Sequence, residues 1–374
     1  MGDQDAKNAT TPLEANLGLV HDYLLVMRGA ERTFAAIASC FPRASIYTLM
    51  LDREQTAPFF DGRSITTSYL QRLPVRQDGF RRLLPFFPRA VEHLPVQEHD
   101  VVLSSSSAFA HGVRPREDAT HICYCYTPFR YVYDERDQAL AETPRPMRPI
   151  MNQILKRMER WDRQAARRVD HYIAISELSR ERIARHYQRD ATVLHPPVEV
   201  ERFTPGEPED YFLVVSEIVR HKRVELGLEA ARLAGRRIKV VGSGPDLPRL
   251  QALYGDSAEF LGRRSDEQLA ELSSRALALI VPHVEEFGIA MVEAQAAGRP
   301  VVAADGGGAR EIVVSGQTGE LFPVGDVGAL AESLRQTDFT RFDPNVIVAN
   351  SVRFSRDAFS ERLRAEVLRL TAPG

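Results

Sequence analysis

The 374-residue chain carries 48 Lys and Arg against 51 Asp and Glu, a net charge of −3, and is 44% hydrophobic. That balance argues against a nucleic-acid binder held by counterion release, and no apolar run reaches the roughly 18 residues that a membrane span needs. The length exceeds what one core usually organises, so two α/β domains are expected, and the three cysteines, Cys40, Cys123 and Cys125, read as reduced thiols of a cytoplasmic protein.

Residues 1–15 are polar and aperiodic and read as a disordered leader. LGLVHDYL opens the first strand, Gly29 begins a helix through Cys40, and further strands follow at SIYTLM, DVVLSSSS and THICYCY. Cys123 and Cys125 alternate along the last of these without a second ligand pair, which favours packing over metal binding. TPRPMRPI reads as a proline-broken loop and 151–168 as a long helix, after which HYIAIS and TVLHPPV close a first domain, 16–203. The segment VEVERFTPGEPED, dense in proline and charge, is the linker. A second domain, 204–354, alternates strands and helices through YFLVVS, IKVVGSG, AEFLG, LALIVP and PVVAA. The last segment, 355–374, is a helix.

The most informative stretch is LALIVPHVEEFGIAMVEAQAAGRPVVA, 277–303. Its two apolar runs lack polar alternation, as strands covered on both faces should. A short helix over 287–297 lies between them, with Gly298 where a left-handed cap belongs. The loop 282–286 is then at the carboxyl end of a strand and the amino end of a helix, where α/β sheets bind ligands. Glu285 and Glu293, eight positions apart, suit a ligand rich in hydroxyls such as a nucleotide sugar. Taken alone, they better suit a helix dipole and a solvated face.

EEFGIAMVEAQAAGRPVVA resembles the signature of the family 4 retaining glycosyltransferases of the GT-B fold, in which two glutamates flank seven residues containing Phe-Gly. VLHPPVEVERFTP, VVGSGPDLPRL and GGGAREIVVSGQTGELFPVGD follow that family's order. HDYLLVMRGAER, EHDVVLSSSSAFAHGV and CYCYTPFRYVYD are similar to the mannosyltransferase branch that builds lipid-linked O-antigen and exopolysaccharide units. The resemblance implies two Rossmann-like, doubly wound domains facing across a cleft, with the final helix crossing back to the first. It implies transfer of a hexose, best matched by mannose from GDP-mannose, to a hydroxyl of a glycan or polyprenyl-linked glycan, without cofactor or metal. Catalytic roles fall on Glu285, Lys222 and Tyr126. Donor contacts fall on Gly29, Ser216, Arg220, Lys222, Gly242, Gly262, Arg263, Glu285, Phe287, Gly288, Ile289 and Glu293. Glu293 is expected on the ribose diol, Glu285 on the sugar hydroxyls, Lys222 on the diphosphate and the backbone near Gly262 on the base.

Several positions depart from the family pattern. Glu217 stands where an arginine usually accompanies the lysine, so it must turn away or pair with Arg220 or Arg223. Arg28 replaces the first glycine of a Gly-Gly pair, and either reaches phosphate or is an exposed loop arginine. Tyr126 stands in place of a histidine, with His111 as a substitute or else a satisfied loop residue. These changes keep a catalytically impaired nucleotide-sugar-binding partner of another transferase open as an alternative, beside a phosphorylase or epimerase of the same fold. Phe86, Phe87, Arg81 and Arg82, with the basic run at 145–168, suit either an anionic membrane surface or an ordinary solvated face.

Overall fold

A computed structural model describes residues 16–73 and 80–372, and the leader expected at 1–15 lies outside them. The chain divides into two compact units. One comprises the described residues up to Leu194 together with those from Ser360 onward, and the other is His195–Phe359. The sequence reading divides the chain at 203/204 and 354/355.

The first unit is built on a seven-stranded sheet in the order β3-β2-β1-β4-β5-β6-β7. The strands are β1 (Leu17–His21), β2 (Ser45–Thr48), β3 (Ile65–Thr67), β4 (Val101–Ser106), β5 (Thr120–Cys125), β6 (His171–Ala174) and β7 (Ala191–Val193), all parallel. The second unit has a six-stranded parallel sheet in the order β10-β9-β8-β11-β12-β13. Its strands are β8 (Phe212–Val215), β9 (Ile238–Val241), β10 (Glu259–Gly262), β11 (Ala278–Val281), β12 (Val301–Ala304) and β13 (Gly319–Phe322). Central strands are buried along their whole length, as the absence of polar alternation requires. Phe212, Val240, Ile280 and Val302 form the second core with Leu228 and Leu330 from flanking helices. In each sheet strand order reverses once, between β1 and β4 and between β8 and β11. Loops diverge at such a point and open a crevice at the carboxyl ends of the strands.

The helix over 29–40 is observed as Gly29–Cys40. The basic helix starts earlier than the sequence reading has it, at Arg148–Ala166, so 148–150 are helical. Pro149 does not prevent this, because in the first turn a missing N–H costs no hydrogen bond. Gly298 follows the helix Ile289–Ala296 with φ 71°, the left-handed stop expected of it. Phe87 is fully buried whereas Phe86 is 56% exposed, so of the two only Phe86 is available to a surface. The side chains of Arg81 and Arg82 lie outside the described residues. The final helix, Arg356–Thr371, ties its latter part into the first unit. Arg364 Nε donates to the Cys40 carbonyl at 3.0 Å, and Thr192 Oγ1 to Glu366 at 2.9 Å. No helix among the described residues is long and apolar enough to cross a membrane.

Candidate functional site

The β8/β11 switch point brings together residues 63 positions apart in sequence. After β8 the chain makes a short turn over Arg220–Lys222, then Arg223 takes a left-handed φ of 47° and the helix Val224–Ala234 begins. After β11 it runs through His283 and Glu285 to Gly288, whose φ of 103° admits few residues but glycine, and the helix Ile289–Ala296 follows. Lys222 Nζ donates to both carboxylate oxygens of Glu285, at 2.8 and 2.7 Å. His283 Nε2 lies 2.7 Å from Oε1 of the same carboxylate. Burial opposes charge on Glu285, but the His283 hydrogen bond and the Lys222 ammonium outweigh it and lower its pKa to about 2.

The loop after β12 supports this turn from behind. Gly308 donates its N–H to the Glu285 carbonyl at 3.0 Å, and a Cβ on Gly308 would fall 1.9 Å from the Phe287 carbonyl oxygen. A side chain at 308 is therefore incompatible with the turn as it stands. Phe287 is buried against His195, with ring centroids 5.5 Å apart, and against Phe354 at 5.4 Å. His195 Nε2 is in turn 2.8 Å from Glu311 Oε2.

The other donor positions named from the sequence are distributed around these loops. Gly242 and Ser216 meet directly, since a Cβ on Gly242 would come within 1.8 Å of the Ser216 carbonyl oxygen. Gly262 ends β10 at φ 67°, and Arg263 Nε donates to Ser243 Oγ at 2.8 Å. Glu293 lies half-buried in the helix that Ile289 begins. Arg220 is 83% exposed and 4.0 Å from Asp246, while Glu217 is exposed. Among the described residues no group of three or more His, Cys, Asp or Glu side chains is arranged to hold a metal ion.

Gly29 and Tyr126 belong to the first unit, at its own switch point. Gly29 starts the helix that Arg28 caps, and the Arg28 N–H donates to Glu31 at 3.0 Å. Tyr126 Oη donates to the Ala30 carbonyl at 2.8 Å and lies 2.9 Å from Ser105 Oγ, and burial holds its pKa well above the usual value. Its hydroxyl proton is committed to the backbone. His111 is buried, with Nδ1 3.2 Å from Ser106 Oγ and Nε2 3.2 Å from Asp162. Burial disfavours its charge, yet the Asp162 carboxylate raises its pKa overall. His111 is thus an interior residue set beside Ser106 and Asp162.

Sequence reasoning missed two groups. Asp22, at the end of β1, is buried and accepts the backbone N–H groups of Ser107, Ala108, Phe109 and Ala110 at 2.7, 3.0, 2.8 and 2.6 Å. His283 was the other. A signal was present in HVE, because in extended backbone residues two apart share a side.

Residues 27–202 match the model of glycosyltransferase family 4, and residues 197–337 match that of the glycosyl transferases group 1. Together the two matches run from residue 27 to residue 337, so the chain is similar to glycosyltransferases along most of its length. The chain is 31% identical over 202 residues to a D-inositol 3-phosphate glycosyltransferase of Mycolicibacterium smegmatis, covering 47% of the chain and 46% of that protein. It is also 31% identical over 200 residues to a GDP-mannose-dependent alpha-mannosyltransferase of Mycobacterium tuberculosis, covering 53% and 47%. These alignments span about half the length of the curated relatives. Among solved structures, Anabaena HepE in complex with UDP and glucose superposes with a TM-score of 0.69 at 18% identity, over 94% of this chain and 99% of that one. Sucrose-phosphate synthase of Thermosynechococcus elongatus gives 0.72 at 17%, over 95% and 98%. Both establish the fold, two Rossmann-like domains of the GT-B class.

Proposed function

We propose that the chain is a retaining glycosyltransferase that moves a hexose from a nucleoside diphosphate sugar to a hydroxyl of a glycan or polyprenyl-linked glycan. The observation that carries this reading is the Lys222–Glu285 pair across the β8/β11 switch point, set at the amino end of the helix Ile289–Ala296. It offers an ammonium and free helix amides to a diphosphate, and a carboxylate to sugar hydroxyls, within one turn. Mannose from GDP-mannose is the first donor to try, on the strength of the mannosyltransferase relative. Glu293 takes the ribose diol, and backbone groups around Gly262 and Arg263 take the base. Ser216, Arg220, Gly242, Phe287 and Gly288 complete the donor site.

In the reaction the acceptor oxygen attacks the anomeric carbon and the bond from that carbon to the diphosphate oxygen breaks. The electron pair leaves with the diphosphate, whose oxygen takes the acceptor's proton on the same face, so the configuration is retained. Lys222 and the helix amides stabilise the departing charge. Tyr126 shapes the first-unit loop through its bond to Ala30 and carries no proton in this scheme. The exposed side chains of Met147, Ile150 and Phe86, with Arg145, Lys156, Arg157 and Arg160, suit peripheral contact with an anionic membrane carrying a lipid-linked acceptor.

A thermal-shift panel with GDP, UDP, ADP and dTDP tests donor binding, because selective ligands raise apparent stability by mass action. Slow hydrolysis of the matching sugar nucleotide, followed by NMR of the released anomer, then tests chemistry. No selective shift would overturn the donor reading. Selective binding without hydrolysis would favour a non-catalytic partner, and an inverted anomer would exclude retention.

A further inference from the structure

Two side chains hold the Glu285 carboxylate, and they differ in what they can do next. Lys222 reaches it from another loop on a flexible four-carbon stem, and an ammonium of this kind readily turns to a phosphate. His283 comes from Glu285's own loop, with its side chain only 7% exposed and Nε2 2.7 Å from Oε1. Val284 between them is 38% exposed, so the two polar side chains share the inner side of the loop. An ionised carboxylate only accepts, so the hydrogen in this contact belongs to Nε2. The other ring nitrogen, Nδ1, is buried and meets no hydrogen-bond partner among the described residues. One ring nitrogen of His99, His111, His121 and His186 is likewise without a hydrogen-bond partner among the described residues, so His283 is set apart by the partner it has. Here the single bond made is the one to Glu285.

We infer that His283 is a positioning residue, which keeps the Glu285 carboxylate aimed at the donor's sugar once Lys222 has turned to the diphosphate. The inference rests on the donor reading given above. It is specific in what it affects: the sugar half of the donor depends on His283, and the diphosphate half does not.

The test is calorimetric titration of the full chain with two pairs of probes, GDP with GDP-mannose and UDP with UDP-glucose. The quantity read is how much more tightly the sugar nucleotide binds than its bare diphosphate. His283→Leu is expected to cut that ratio about tenfold, the loss of roughly one hydrogen bond to a charged group, with diphosphate affinity changed less than about threefold. His283→Gln, whose amide nitrogen can occupy the Nε2 position, should restore the ratio, and the shorter His283→Asn should not. Should the leucine variant fail to fold, the Gln and Asn variants carry the comparison alone. An unchanged ratio in His283→Leu or His283→Asn beside a lost ratio in Glu285→Gln overturns the inference and leaves the donor reading standing. Equal weakening of diphosphate and sugar nucleotide without rescue by Gln makes His283 merely structural and also overturns it. A ratio that survives Glu285→Gln, or that wild type lacks for both pairs, overturns the donor reading and the inference together.

Discussion

Replacing Glu285 by Gln tests whether the carboxylate at the switch point is held as its surroundings imply. Burial works against its charge, yet His283 and Lys222 lower its pKa from 4.5 to about 2. A difference of that size between folded and unfolded states corresponds to about 3 kcal/mol in favour of the ionised folded form. Glu285 is only 22% exposed, so water screens little of this. The sign is that of a depressed carboxyl: the stabilisation is complete above the unfolded value of 4.5 and is lost as pH falls towards 2. Glutamine mimics the neutral acid, so Glu285→Gln should cost the second unit about 3 kcal/mol at pH 7 and about 2 kcal/mol at pH 3.5. The single tryptophan, Trp161, lies in the first unit, so its fluorescence does not report on this loss. Hydrogen exchange of the β11 and β12 amides does, because their protection follows the opening of the sheet they belong to. A loss below about 1 kcal/mol at pH 7, or a gap that does not narrow with acid, would refute the assignment of Lys222 and His283 as the groups that hold the charge.

Lys222→Met should weaken binding of the bare nucleoside diphosphate by about 10- to 100-fold in calorimetry, the worth of a charge-assisted contact, whereas Glu285→Gln should leave it unchanged or tighter because the ammonium is released. Asp22→Asn turns one acceptor of the 107–110 amides into a donor and should destabilise the first unit by about 3 kcal/mol or more, read by Trp161 fluorescence in urea. Glu31 behaves in the opposite sense. Burial raises its pKa to about 7, so stability falls as pH rises from 4.5 to 7, and Glu31→Gln should gain up to about 3 kcal/mol at pH 8 and nothing below pH 4.5 in the same assay. EDTA should leave glycosyl transfer intact if Lys222 and the helix amides suffice for the leaving group, and restoration of an EDTA-abolished activity by Mn²⁺ would refute that.

What was legible in the sequence was the part that depends on near neighbours. Uninterrupted apolar runs such as LALIVP and PVVAA announce strands covered on both faces, and Gly298 announces the end of its helix because few other residues accept φ 71°. Glu285 was legible from its loop between a strand and a helix, Lys222 only through a resemblance, and their bidentate contact was not visible at all, since it depends on which strands flank the switch point. Asp22 was hidden for the same reason: its amide partners lie 85 to 88 residues away. Phe86 and Phe87 are adjacent in sequence yet opposite in fate, because the short helix Phe87–Glu92 turns one inward and leaves the other out. Proline misled at 149, where position within the turn matters more than residue type.

The two units answer one structural problem in different ways, and the difference indicates where a ligand belongs. Each sheet reverses order once, and at each reversal a carboxylate bonds to the loop of the strand on the other side. In the first unit the partners of Asp22 are backbone amides, which cannot leave without unfolding the loop that carries them. That carboxylate is consumed by the fold. In the second unit the partner of Glu285 across the reversal is a lysine side chain, whose torsions let it exchange a carboxylate for a phosphate at little cost to the backbone. Only the second arrangement can be opened by a diphosphate and closed again after it leaves. On the proposed function, the crevice between β8 and β11, rather than the one between β1 and β4, would be the place where an anionic donor is exchanged.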